Sequence, residues 1–214
     1  TTVFIIILLA TVMHAIWNAM VKHHPDKVIA VLAIVLGHIP LALFCIIYFP
    51  LPQKESLPYI IASVIAHQGY QWYMINSYKV GDYTNVYPIF RGFGPLLATL
   101  ISLIFLGVVF KIATIISILF ISVGIMVLGL FGSKDKNQFE IIKYALLTGS
   151  FISLYSLIDG YGARVSASSI SYISFSFLFS ALLFPIILKH NKHENIVSKV
   201  FKDAKMIFWV GGSI

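Results

Sequence analysis

Blocks of about twenty apolar residues, separated by short polar connections, recur along this chain and dictate what it can fold into. A bilayer core of about 30 Å is crossed by about 20 mostly apolar residues in helical form. Seven such blocks can be read, at roughly 3–22, 28–49, 57–78, 84–106, 110–131, 143–163 and 168–188, with the start of an eighth at 206. Backbone amides and carbonyls have no water partner in lipid, so each block must satisfy them internally as a helix. The alternating ten-residue strands of a membrane barrel are absent. Most connections are short and polar, as in Lys22–Lys27, Pro50–Glu55 and Val80–Asp82. The longest runs from Lys189 to Lys205. It sets Ile196, Val197, Val200 and Phe201 among lysines, the pattern of an amphipathic segment on an anionic lipid surface.

Composition removes the competing classes. Hydrophobic residues make up 59% of the chain and charged residues 11%, against about 45–50% and 25% in soluble domains. A net charge of +7 does not indicate nucleic-acid binding, because the basic residues lie between apolar blocks and not along one stripe. Cys45 is the single cysteine, which excludes an internal disulfide framework and a cysteine-based zinc site. The stretch His190-Asn191-Lys192-His193-Glu194 matches neither zinc-peptidase helix motif, and neither a P-loop nor a G-x-S-x-G elbow occurs. The expectation is a non-enzyme without a cofactor. The chain starts Thr1-Thr2 and stops about half a span after Met206, so it is expected to be a piece of a longer protein.

The first and sixth blocks share a plan, an apolar helix with a polar cluster near its C-terminal end. Trp17-Asn18 overlies Tyr155-Ser156 at a shift of 138 residues, and the blocks that follow end near Phe49 and Leu188. Weak internal similarity of this kind is what inverted transporter repeats leave in a sequence. Five spans in each repeat would turn the second copy upside down. Lys22, Lys27, Lys79, Lys134, Lys136, Lys143, Lys189, Lys192, Lys199, Lys202 and Lys205 fall in odd-numbered connections, against Lys54, Lys111 and Arg164 in even-numbered ones. By the positive-inside rule the odd connections face the cytoplasm and the N-terminus faces out.

The rare polar groups within the blocks are the functional candidates. Insertion scales put Arg, Lys or Asp at a helix centre at about +2.5 to +3.5 kcal/mol, so such groups face a bundle interior or a wet cavity. In the first block His14, Trp17, Asn18 and Lys22 share one helix face. His67, Gln71 and Tyr78 share a face of the third block, with Gln68 and Trp72 beside them. The fourth opens with Tyr83, Thr84 and Tyr87 before Arg91, which follows Pro88 and precedes Gly92 and Gly94. The sixth carries Ser153, Tyr155, Ser156, Asp159 and Arg164. Lys22 and Arg164 lie near span ends, where their heads can reach the interface. The serines of the seventh block (Ser168, Ser169, Ser171, Ser174, Ser176, Ser180) read as packing and back-bonding residues. Gly94, Ala98 and Ser102, continued by Ala113 and Ser117, form a small-residue stripe that reads as tight packing of the hairpin between the fourth and fifth blocks.

Three of these segments resemble EamA-type proteins of the drug/metabolite transporter superfamily. His14-Ala15-Ile16-Trp17-Asn18-Ala19-Met20-Val21-Lys22 looks like the family's first helix. Gly81-Asp82-Tyr83-Thr84-Asn85-Val86-Tyr87-Pro88-Ile89-Phe90-Arg91-Gly92-Phe93-Gly94-Pro95-Leu96-Leu97 is similar to its third-to-fourth helix passage. Tyr155-Ser156-Leu157-Ile158-Asp159-Gly160-Tyr161-Gly162 is similar to the start of its second repeat. The resemblance implies an all-α polytopic membrane protein of ten helices in two inverted five-helix repeats about a central cavity. Residues 1–132 would be the first repeat, and 143–214 an incomplete second one that stops in its eighth helix. It also implies both termini in the cytoplasm, against the lysine distribution. One departure is Val108 after Gly107, where many relatives have a Gly-Glu pair.

The expected function is secondary-active transport of a small polar or amphipathic metabolite, by export or exchange, in a bacterial cytoplasmic (inner) membrane. The expected solute site comprises His14, Trp17, Asn18, His67, Gln71, Tyr87, Arg91, Tyr155 and Asp159. Arg91 would pair an anionic group, since guanidinium forks suit carboxylate and phosphate. Trp17, Tyr87 and Tyr155 would stack on the solute. His14, His67 or Asp159 would carry a coupled proton. The expected partners are the bilayer and the solute, with no nucleic acid. The alternative is a non-transporting membrane subunit or scaffold whose polar faces pair with each other.

Overall fold

A computed structural model describes residues 2–131, 137–190 and 195–212. In chain order the helices are α1 (Thr2–His23), α2 (Lys27–Tyr48), α3 (Leu57–Val80), α4 (Tyr83–Ile104), α5 (Ile112–Phe131), α6 (Gln138–Val165), α7 (Ser169–His190), α8 (Ile196–Asp203) and α9 (Lys205–Gly211). A 3-10 turn at Lys54–Ser56 precedes α3, and the described residues contain no strand. Each apolar block is a helix, and the longest connection contains the short helix α8. The largest difference in limits is at α6, which starts at Gln138 rather than 143. Lys143 therefore lies inside a helix and not in a connection, 3.5 Å from Glu140 one turn earlier. Lys134, Lys136 and Lys192 lie outside the described residues.

Among the described residues, five helices are both long and apolar enough to cross a membrane: α2, α4, α5 through Leu130, α6 and α7. α1 (22 residues) and α3 (24 residues) have the length of a span as well. Large apolar side chains stand open on these helices, among them Ile47 and Phe120, both 77% exposed. Apolar surface on that scale needs lipid against it. The chain is an integral, multi-pass, all-α membrane protein.

The helices divide into two compact units, Thr1–Val64 with Gly162–Ile214, and Ile65–Tyr161. In the first unit α2 is the central helix, packed against α7, α8 and α9, and α1 also meets α9. The corner between α1 and α2 is closed by side chains. The Asp26 carboxylate accepts from the Val28 and Ile29 amides and caps α2. The Lys27 ammonium donates to the carbonyls of Val21, Lys22 and His24, satisfying the last turn of α1. Ile60, Val64 and Tyr172 form a buried cluster with Tyr59, Ala163 and Phe175 around it. In α7 the Ser174 hydroxyl bonds back to the Ile170 carbonyl, while Ser171, Ser176 and Ser180 are buried at its packed face. Both findings fit a packing role for the serine stripe.

In the second unit α3 and α6 run antiparallel. Tyr73 stacks on Phe151 at 5.4 Å, and the Ser77 and Thr148 hydroxyls are 3.1 Å apart. α6 runs parallel to α4, with the buried Ser153 hydroxyl donating to the Gly94 carbonyl at 2.6 Å. α5 packs antiparallel on α4. Gly107, at φ +62°, lies in the turn between them. Gly94 therefore faces α6 and not α5. The close approach within the α4–α5 hairpin is made instead by Gly92 and Gly129, where an added Cβ would stand 2.6 Å from the carbonyls of Ser122 and Asn85. Ser117 is exposed and returns its hydroxyl to the Ala113 carbonyl. The α4–α5 hairpin is tightly packed as expected, but Gly94 is not part of that seam, because small residues at i and i+4 mark a face without saying which neighbour covers it.

Gly129→Val should lower the unfolding stability of the detergent-solubilised chain by about 1–3 kcal/mol, the usual cost of overpacking. Gly124→Ala, where an added Cβ meets nothing within 4 Å, should leave it unchanged or raise it slightly. Chemical denaturation followed by circular dichroism checks both.

Candidate functional site

Six of the nine expected site residues lie in the second unit, on α3, α4 and α6, and contacts link five of them. Antiparallel packing sets residue 67 of α3 beside 159 of α6, and the same register sets 70 beside 155. His67 Nε2 lies 4.0 Å from Asp159 Oδ2, with the two side chains 10% and 22% exposed. The His67 ring also stacks on Tyr155, with centroids 4.2 Å apart and planes at 27°. Tyr155 meets Tyr70 edge-on at 5.4 Å. His67 thus has a carboxylate at one nitrogen and a phenol ring against its face.

Arg91 approaches the same group from α4. Its guanidinium carbon is 5.3 Å from the centre of the Tyr87 ring, within cation–π range. It donates a hydrogen bond to Tyr87 and lies within electrostatic reach of Tyr70 and Tyr155. Tyr87 stacks on Tyr83 at 4.9 Å and 17°, and Tyr83 stacks on Tyr78 at 5.1 Å. The phenols of Tyr78 and Tyr83 are also hydrogen-bonded. A column of rings therefore leads from the α3–α4 turn to Arg91, and from there through Tyr70 and Tyr155 to His67 and Asp159. Gln71 is buried on α3 next to Tyr70, as is Gln68 near His67.

The other three expected residues belong to the first unit. His14 and Trp17 of α1 meet edge-to-face at 5.0 Å. Asn18 is buried, and its amide donates to the His14 carbonyl one turn back at 2.6 Å. Lys22 and Arg164 are exposed near helix ends, as side chains reaching for an interface would be.

Tyr70 was missed by the sequence reading, although it touches Tyr155 and faces Arg91. The signal was available: it stands three residues after His67 and so shares that helix face. Tyr78 was placed correctly on the polar face of α3, but its stacking on Tyr83 depends on the tight turn at Gly81-Asp82. Among the described residues, no group of three or more His, Cys, Asp or Glu side chains is placed to hold a metal ion.

The arrangement brings together the side-chain types that hold anions and carry protons. The guanidinium supplies a fixed charge, and the phenols around it supply hydrogen-bond donors and flat surfaces. His67 and Asp159 add an imidazole and a carboxylate beside Tyr155. In a double-mutant cycle, His67→Ala and Tyr155→Ala should show a coupling of about 0.5–1.5 kcal/mol, as close ring pairs do. A cycle between His67 and Tyr144, which lies against Tyr73 instead, should show almost none.

Comparison with protein-family models, curated proteins and solved structures returns no match to this chain.

Proposed function

We propose that the chain is a secondary-active transporter, an exporter or exchanger of a small polar or amphipathic metabolite with an anionic group. The observation that carries this reading is the convergence of Arg91, three tyrosines and the His67–Asp159 pair from three helices of one unit. Ionisable side chains inside membrane helices are costly and mark solute or proton pathways. Arg91 holds the anionic group of the solute, Tyr87 and Tyr155 flank it, and His67 with Asp159 carries a coupled proton. The proposal extends to the EamA-type architecture of inverted repeats that the sequence resembles.

A second reading has its own support. The same polar groups contact one another, His67 with Asp159 and the tyrosines in a stack, as a non-transporting subunit or scaffold would arrange them. Solute dependence separates the two readings. A metabolite that raises the unfolding temperature of the wild type and not of Arg91→Ala supports transport, since a bound solute stabilises by mass action.

In reconstituted vesicles, Arg91→Ala should reduce uptake of that solute by about tenfold or more, equivalent to about 1.4 kcal/mol of lost binding. Arg91→Lys keeps the charge and loses the planar fork, so it should recover only part of the activity. Undiminished uptake by Arg91→Ala would remove Arg91 from the mechanism. Uptake that ignores an imposed pH gradient would remove the proton.

A further inference from the structure

A second polar feature lies in the first unit, where α7 ends and α8 begins. A cleft of about 310 Å³ opens there, lined by Ile186 and Lys189 of α7, by Asn195, and by Val197 and Ser198 of α8. α7 is one of the five helices that meet the criteria for a span, so its last turn, which carries Lys189 and His190, stands where the helix leaves the hydrocarbon. α8 is strongly two-sided. Ile196 and Val200 are buried against the protein, whereas Val197 and Phe201 are 42% and 50% exposed. The four residues form one apolar face of α8, with one edge packed on the protein and the other left open. α9 continues the outward apolar surface with Met206 and Trp209, 72% and 57% exposed. Tryptophan is enriched at the headgroup level of a bilayer.

We propose that this cleft holds the phosphate headgroup of an anionic glycerophospholipid taken from the surrounding bilayer. Charge complementarity selects the headgroup. Among the described residues from Lys189 to Lys205, Lys189, Lys199, Lys202 and Lys205 stand against Asp203, and Lys189 is itself in the wall. The apolar surface selects a lipid over a soluble phosphate. Ile186 is 65% exposed beside Val197, and both offer acyl chains a continuous surface that a free anion could not use. The volume lies at the low end of the ~300–1,000 Å³ typical of small-ligand pockets, enough for a headgroup but not for a whole lipid. Basic clusters beside a span attract anionic lipids in general. The cleft adds a place for one particular molecule. None of these residues belongs to the group around Arg91, so the site stands or falls independently of transport.

The test uses the full chain, delipidated in detergent and titrated with phosphatidylglycerol or with phosphatidylcholine of the same acyl chains. Native mass spectrometry should show one retained phosphatidylglycerol, bound at least fivefold more tightly than phosphatidylcholine. Lys189→Ala should weaken that adduct by fivefold or more, while Lys189→Arg and the distant Lys54→Ala should keep it. Ile186→Trp, which fills the cleft without changing charge, should also lose it. Excess glycerophosphate should not displace the lipid. Equal binding of the two lipids, full retention by Lys189→Ala, or displacement by glycerophosphate would each overturn the proposal.

Discussion

Hydrocarbon offers no hydrogen-bond partner, and every polar group that enters it must bring its own. Helices meet this demand for the backbone, and their ends meet it with borrowed groups. The corner between α1 and α2 shows the economy involved. One carboxylate, Asp26, takes two amides at the start of α2, and one ammonium, Lys27, takes two carbonyls at the end of α1 and that of His24 just beyond it. Two adjacent residues of opposite charge thus finish two helices across the short connection His24-Pro25-Asp26.

The same demand governs side chains. Ser77 meets Thr148, and Ser153 reaches the Gly94 carbonyl. These hydroxyls tie α6 to α3 and to α4 in a setting where apolar contact alone gives little preference for helix over lipid. Larger polar groups gather where those ties hold the helices in register. His67, Tyr70, Arg91, Tyr155 and Asp159 come together because α3 and α6 run antiparallel while α4 and α6 run parallel.

Much of the fold was legible in the sequence, because a span announces itself by length and apolar character. The helix limits were readable at compact polar connections such as His24-Pro25-Asp26 and Gly81-Asp82. The start of α6 was not, since Lys143 looks like a connection until Glu140 is seen one turn before it. The candidate residues were legible as polar groups within apolar blocks, but their pairing was not. Period and spacing place His67 and Tyr70 on one face without saying that Tyr155 stacks on the first and meets the edge of the second. The small-residue stripe misplaced Gly94 for the same reason. Gly94 and Gly92 are two residues apart, and only the packing decides which of them meets α5 and which meets α6.

The rings of Tyr78, Tyr83 and Tyr87 form an unbroken run of contacts from the α3–α4 turn at Gly81-Asp82 to Arg91. Tyr78 belongs to α3 and Tyr83 to α4, so the first stacked pair also clasps the two helices on either side of that turn. The surroundings of the guanidinium are thereby tied to the geometry of a short connection that ends five residues before Tyr87.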